Sequence, residues 1–109
     1  MNEALFAAAA KAHGLPPPVF EFKFHAKRKW RFDVFFRNNK VARGCRDVAV
    51  EIQGGLFAKG RHTQGAALVK EYEKINEAQL AGYVVLLVTP QQVDSGEVFS
   101  LVKLALETE

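Results

Sequence analysis

The spacing of apolar residues changes several times along the chain, and each change marks an element. From Val19 to His25 apolar and polar residues alternate strictly, with Phe20, Phe22 and Phe24 on one side and Glu21, Lys23 and His25 on the other, which predicts a strand. Alternation returns after a turn at Ala26 to Lys29, where Phe32, Val34 and Phe36 share one face and Arg31 and Asp33 share the other. A third strand is predicted at Val48 to Gln53, with Val48, Val50 and Ile52 opposing Ala49, Glu51 and Gln53. Helical spacing appears at the N-terminus, where Asn2 caps a stripe of Leu5, Phe6, Ala9 and Ala10 that Gly14 and Pro16 to Pro18 end. It reappears from Thr63, a candidate N-cap, with Leu68, Tyr72, Ile75 and Gln79 in line as far as Gly82. The continuous apolar run Val84 to Val88 predicts a strand covered on both faces and inside the sheet. Thr89-Pro90-Gln91-Gln92 has a cap, a proline at the first helical position and a glutamine at the third, which opens a short helix. A last helix from about Ser95 turns Val98, Phe99, Val102 and Leu106 to the core.

The order is helix, three strands, helix, strand, helix, without internal repeat or linker composition, so residues 1–109 are expected to form one α/β domain. Hydrophobic content of 49% with nine phenylalanines fits a packed globule. No apolar run has membrane-spanning length, and the Ala7 to Ala10 run lacks the basic leader of a signal peptide; a cytoplasmic protein with no membrane partner is expected. The single Cys45 excludes an internal disulfide. Charge changes the picture more than composition does. Residues 1–46 carry ten Lys/Arg against three acids, whereas residues 47–109 carry five against nine, so a basic half lies beside an acidic one. Such asymmetry suits a surface that meets a polyanion, although solubility alone also produces it.

The candidate chemistry lies where acids interrupt the strands. Pairing the second and third strands gathers Asp33, Glu51 and Gln53 on one polar surface, and oxygen ligands on a rigid sheet suit Mg²⁺ or Mn²⁺. Such ions complete their shell with water and phosphate oxygens, so a phosphodiester substrate follows. Lys27, Arg28, Lys29, Trp30 and Arg31 place four cations around one indole, where the cations can neutralise phosphates and the ring can stack on a base or pack under a guanidinium. The alternative is a solvated hairpin turn. Gly54 and Gly55 open a loop with Lys59, Arg61 and His62, a point of close approach for a phosphate. Glu3 is either a glutamate favoured by the helix dipole or an accessory acid.

This order, with Asp33 on the second strand and Glu51-Ile52-Gln53 on the third, resembles the PD-(D/E)XK nuclease superfamily, and the Glu51 to Gly54 run followed by His62 is similar to its very-short-patch-repair-like branch; Holliday junction resolvases are further members. The resemblance implies a restriction-endonuclease-like αβββαβ core with a C-terminal helix, a mixed sheet flanked by helices, and metal-dependent cleavage of DNA. It implies that Asp33 and Glu51 bind the metal, that His62 lies near the cleavage site and that Glu3 belongs to the site. Gln53 stands where the superfamily usually has lysine. Some members carry that lysine on the following helix, which makes Lys74 the candidate; Glu71 and Glu77, one turn to either side, offer it ordinary surface ion pairs instead. Two further expectations follow. A homodimer is expected if both strands are cut, joined through the Leu56-Phe57 loop or the last helix, and a DNA-binding module with weak or no catalysis is the alternative function.

Overall fold

The computed structural model describes residues 1–40, 44–53 and 61–108, the first four of the last segment by backbone alone. In chain order the elements are α1 (Glu3–Ala12), β1 (Val19–Lys23), β2 (Arg31–Phe36), β3 (Val48–Ile52), α2 (Arg61–Leu80), β4 (Val84–Val88), α3 (Pro90–Asp94) and α4 (Glu97–Glu107). The strands form one mixed sheet in the order β1-β2-β3-β4. β1 and β2, and β2 and β3, pair antiparallel; β3 and β4 pair parallel across the α2 crossover.

Local signals account for most boundaries. Asn2 Oδ1 accepts the Leu5 N–H at 3.0 Å and so begins α1. Gly14, with φ of 75°, takes the left-handed turn that ends it. Thr89 and Gln92 exchange the two bonds of a capping box at α3. Thr63 lies inside α2 rather than at its start, because the helix begins at Arg61.

The two faces of the sheet bury different things. On one, α1 and α4 pack Phe6, Ala10, Val98, Phe99, Val102 and Leu106 against Val34, Phe36, Val48 and Val50. On the other, Phe32, Phe35 and Ala49 meet Ala78 of α2, with Phe22 and Phe24 stacked on them. The expected single Phe face of the first strand is therefore divided. Phe20 packs edge-on against Phe6 at 5.7 Å between centroids, while Phe22 stacks on Phe35 at 4.0 Å and Phe24 on Phe32 at 3.9 Å. Phe32 likewise parts from Val34 and Phe36. The cause is at one level of the sheet, where Glu21 has φ of 52° and the β1–β2 pairing skips Glu21 and Asp33; the regular alternation is broken there and the chain changes face.

Three other expectations are corrected. β4 is an edge strand and not an interior one, with Leu87 exposed. An apolar run carries no information about whether the strand's backbone edge is paired, and the cover expected on both faces is partial too: Val84, Val85 and Leu86 are half-buried and only Val88 is buried. In α1, Phe6 and Ala10 are buried but Leu5 is exposed. In α2, Tyr72 and Gln79 face outward, and the buried positions are Ile75 and Ala78.

Candidate active site

β2 and β3 hydrogen-bond from Phe36–Val48 to Val34–Val50 and no further. The next opposed pair is Asp33 and Glu51, and here side chains replace the backbone ladder. The Asp33 N–H donates to Glu51 Oε1 at 3.3 Å, and the Ile52 N–H donates to Asp33 Oδ2 at 2.8 Å. The two carboxylates predicted to share a surface are thus joined through each other's strand, at the level where β1 and β2 also lose their register.

Glu51 points towards α2 and is 4% exposed. Lys74 reaches it from the helix, with Nζ at 3.0 Å from both carboxylate oxygens and its own side chain 11% exposed. A buried carboxylate is costly to ionise unless paired, and the balance here still favours the proton. Burial raises the Glu51 pKa from 4.5 to about 7; Lys74 opposes the rise by charge and hydrogen bond, while Asp33 and Glu71 add to it. Lys74 is therefore not the solvated residue paired with Glu71 and Glu77 that helix spacing also allowed. Its neighbours make other bonds: Glu77 accepts from His25, and Glu71 from Gln53.

Gln53 continues the ladder through its N–H to Val88 O at 2.8 Å, which keeps its side chain on the Glu51 face. Its Nε2 donates to Glu71 Oε1 at 3.3 Å. Glu71 is thus a member of the cluster that sequence reasoning treated only as a surface partner. The available signal was its spacing, one turn before Lys74 and hence on the same side of the helix. Asp33 and Glu51 are linked through backbone N–H groups, Glu51 to Lys74, and Gln53 to Glu71, all at the α2 side of the β2–β3 end.

The remaining candidates are placed less centrally. Glu3 is exposed in the first turn of α1 and makes none of the contacts of this group. The side chains of Arg61 and His62, and the loop with Leu56, Phe57 and Lys59, lie outside the described residues. The Lys27 to Arg31 turn is tied to α2 rather than loose. His25 Nδ1 accepts the N–H groups of Lys27 and Arg28 at 3.1 and 2.8 Å, so its proton sits on Nε2, which donates to Glu77 Oε1 at 3.0 Å. Arg28 pairs with Glu73 and lies 4.6 Å from the Trp30 ring centre, so the indole packs under a guanidinium. Lys27, Lys29 and Arg31 are exposed, with no acid in ion-pair range among the described residues.

A cavity of about 570 Å³ opens on the opposite face between α1 and the α3–α4 corner. Leu5, Phe6, Ala9, Val93 and Phe99 line it, and it meets the carboxylate region only through Ile52. Its walls are mainly apolar, with Asn2, His13, Asp94 and Ser95 at their polar points, and none of Asp33, Glu51 or Lys74 lines it. Among the described residues no set of three or more His, Cys, Asp or Glu side chains is assembled as a metal cluster, and Asp33 and Glu51 meet as a pair. Compared with protein-family models, curated proteins and solved structures, the chain has no match.

Proposed function

We propose that this chain is a divalent-metal-dependent endonuclease of restriction-endonuclease-like fold that hydrolyses phosphodiester bonds in DNA. One observation carries the reading: two carboxylates on neighbouring strands converge where the ladder ends, and one of them is buried against a lysine. The two backbone N–H groups that these carboxylates accept do not by themselves call for a buried ion pair, since replacing such a pair with apolar groups is often neutral or stabilising. The donor set fits Mg²⁺ or Mn²⁺, which take carboxylate and carbonyl oxygens and leave positions for water and phosphate. Asp33 and Glu51 are assigned as ligands. The bound ion supplies Lewis acidity and a lowered pKa for an attacking water.

The chain's own groups divide the remaining work. Lys74, whose ammonium lies against the Glu51 carboxylate, would offset charge developing on the phosphoryl oxygens. Gln53 accepts a hydrogen bond from the attacking water. His62 carries a proton or holds a phosphate, and Arg61 adds positive charge at the start of α2. Lys27, Lys29 and Arg31 bind the DNA backbone, with Arg28 and Trp30 fixing the turn that presents them. Glu3 has no assigned part beyond favouring the start of α1. The basic turn meets phosphates, which carry no sequence information, so cleavage is structure-selective or weakly sequence-specific. If both strands are cut, a homodimer supplies the second site.

The second reading, a DNA-binding module without catalysis, draws on the closed Glu51–Lys74 pair, which satisfies itself without a cation. Cleavage of single-stranded, duplex, flap and four-way DNA in Mg²⁺ or Mn²⁺ separates the two. The nuclease reading predicts cuts that EDTA abolishes. Binding that survives EDTA, with no cuts on any substrate, favours the module.

A further inference from the structure

The amide of Gln53 has two unlike ends, a pair of donors at Nε2 and an acceptor at Oε1, and its terminal torsion by itself hardly distinguishes them. Glu71 does distinguish them. A carboxylate only accepts, so the contact between Gln53 and Glu71 Oε1 at 3.3 Å fixes Nε2 on the helix side and turns Oε1 away from Glu71. Both residues are half-buried, so water competes with this bond less than on an open surface.

From this juxtaposition we infer that Glu71 is a positioning residue: it orients Gln53 so that the amide presents oxygen, not nitrogen, to the ion and water held by Asp33 and Glu51. The inference rests on the nuclease reading and specifies it. Gln53 then supplies a neutral third oxygen to the site, while the donor that a lysine at position 53 contributes elsewhere comes from Lys74 on the helix, one turn beyond Glu71. The same helix face thus sets the polarity of one group and provides the other. A flipped amide turns two N–H donors towards a cation, which repels it and withdraws an acceptor from its water.

The test is calorimetric titration with Mn²⁺ of the wild type, Glu71→Ala and Glu71→Gln, together with the side-chain amide resonances of Gln53 in the metal-free protein. Glu71→Ala is expected to weaken Mn²⁺ binding about tenfold, the low end of the effect of removing a group that orients a metal ligand. Glu71→Gln keeps a carbonyl that accepts from Nε2, so it is expected to bind like the wild type and to retain the slowly exchanging Gln53 amide protons that Glu71→Ala loses. Gln53→Ala combined with Glu71→Ala should bind no more weakly than Gln53→Ala alone, because the two residues act as one unit. If Glu71→Gln binds as weakly as Glu71→Ala, the carboxylate acts by charge and the positioning role is wrong. If Glu71→Ala binds like the wild type, the positioning role is wrong while the metal site stands. Failure of the wild type to bind Mn²⁺ overturns both.

Discussion

Helices α4 and α2 lie on opposite faces of one sheet and bury themselves by different means. α4 turns Val98, Phe99, Val102, Ala105 and Leu106 to the core, and every one of them is apolar. α2 is nearly twice as long, yet its fully covered positions from Leu68 onward are only Ile75 and Ala78; beside them on the sheet side it carries Glu71 and Lys74. Its outer side carries exposed Val69, Tyr72 and Leu80. One helix holds the fold together, and the other gives up burial energy to deliver charged groups to the end of the β2–β3 pair. The same division separates apolar Val34 and Val50, which pair, from Asp33 and Glu51, which do not.

Removing one anchor from each helix breaks the comparison most sharply. Phe99→Ala should lose about 3–5 kcal/mol of stability in urea unfolding, nearly independent of pH, and leave metal binding intact in the folded fraction. Lys74→Met should cost about 3 kcal/mol at pH 8, because it strands a buried carboxylate, and much less at pH 5, where Glu51 is protonated with or without its partner. An equal loss at both pH values contradicts the buried-pair account.

Glu51→Gln sharpens it from the other side. A folded pKa raised from 4.5 to about 7 means that Glu51 binds its proton more tightly in the folded state, so its ionisation works against folding as pH rises through that window. The variant should therefore gain stability relative to the wild type between pH 4.5 and 7, hold that gain above pH 7, and lose Mn²⁺ binding. By the same linkage the wild type should bind Mn²⁺ more weakly below pH 7 than above it, since proton and cation compete for Glu51. An advantage of the wild type at pH 8 in metal-free buffer speaks against the assignment.

These contrasts explain what was legible in the sequence. Element order, the caps of α1 and α3 and the buried stripe of α4 followed from apolar spacing and capping residues, since those signals are local. The face change at Glu21 and Asp33 did not, because alternating Phe20, Phe22 and Phe24 look like one surface until the unpaired level between two strands is seen. α2 departs from its apolar spacing for a related reason. Of the expected stripe Ile75 is buried and Leu68 half-buried, but Tyr72 and Gln79 give way to Glu71, Lys74 and Ala78, and propensity cannot foresee a polar group that is covered because another strand brings it a partner. That Asp33 and Glu51 lie together was legible because an acid within an apolar run is conspicuous; the contact of Glu71 with Gln53 was hidden among the charges of a helix.

The basic turn gives the smallest expected effect. Lys27→Ala with Lys29→Ala should lower the log-log salt slope of DNA binding by about two units, roughly one for each lost phosphate contact, with little change in stability. Arg28→Ala should instead cost up to about 1 kcal/mol of stability, as it removes an exposed ion pair and the packing on Trp30. An unchanged slope in the lysine pair returns the turn to a solvated connection.

The direct test of the central claim is Mg²⁺-dependent cleavage of the DNA panel by the wild type beside Asp33→Asn and Glu51→Gln, each confirmed folded by its urea midpoint. The account predicts cuts by the wild type that vanish in EDTA and are absent from both variants. Wild-type cleavage by either variant, or no cleavage by the wild type on any substrate, contradicts it.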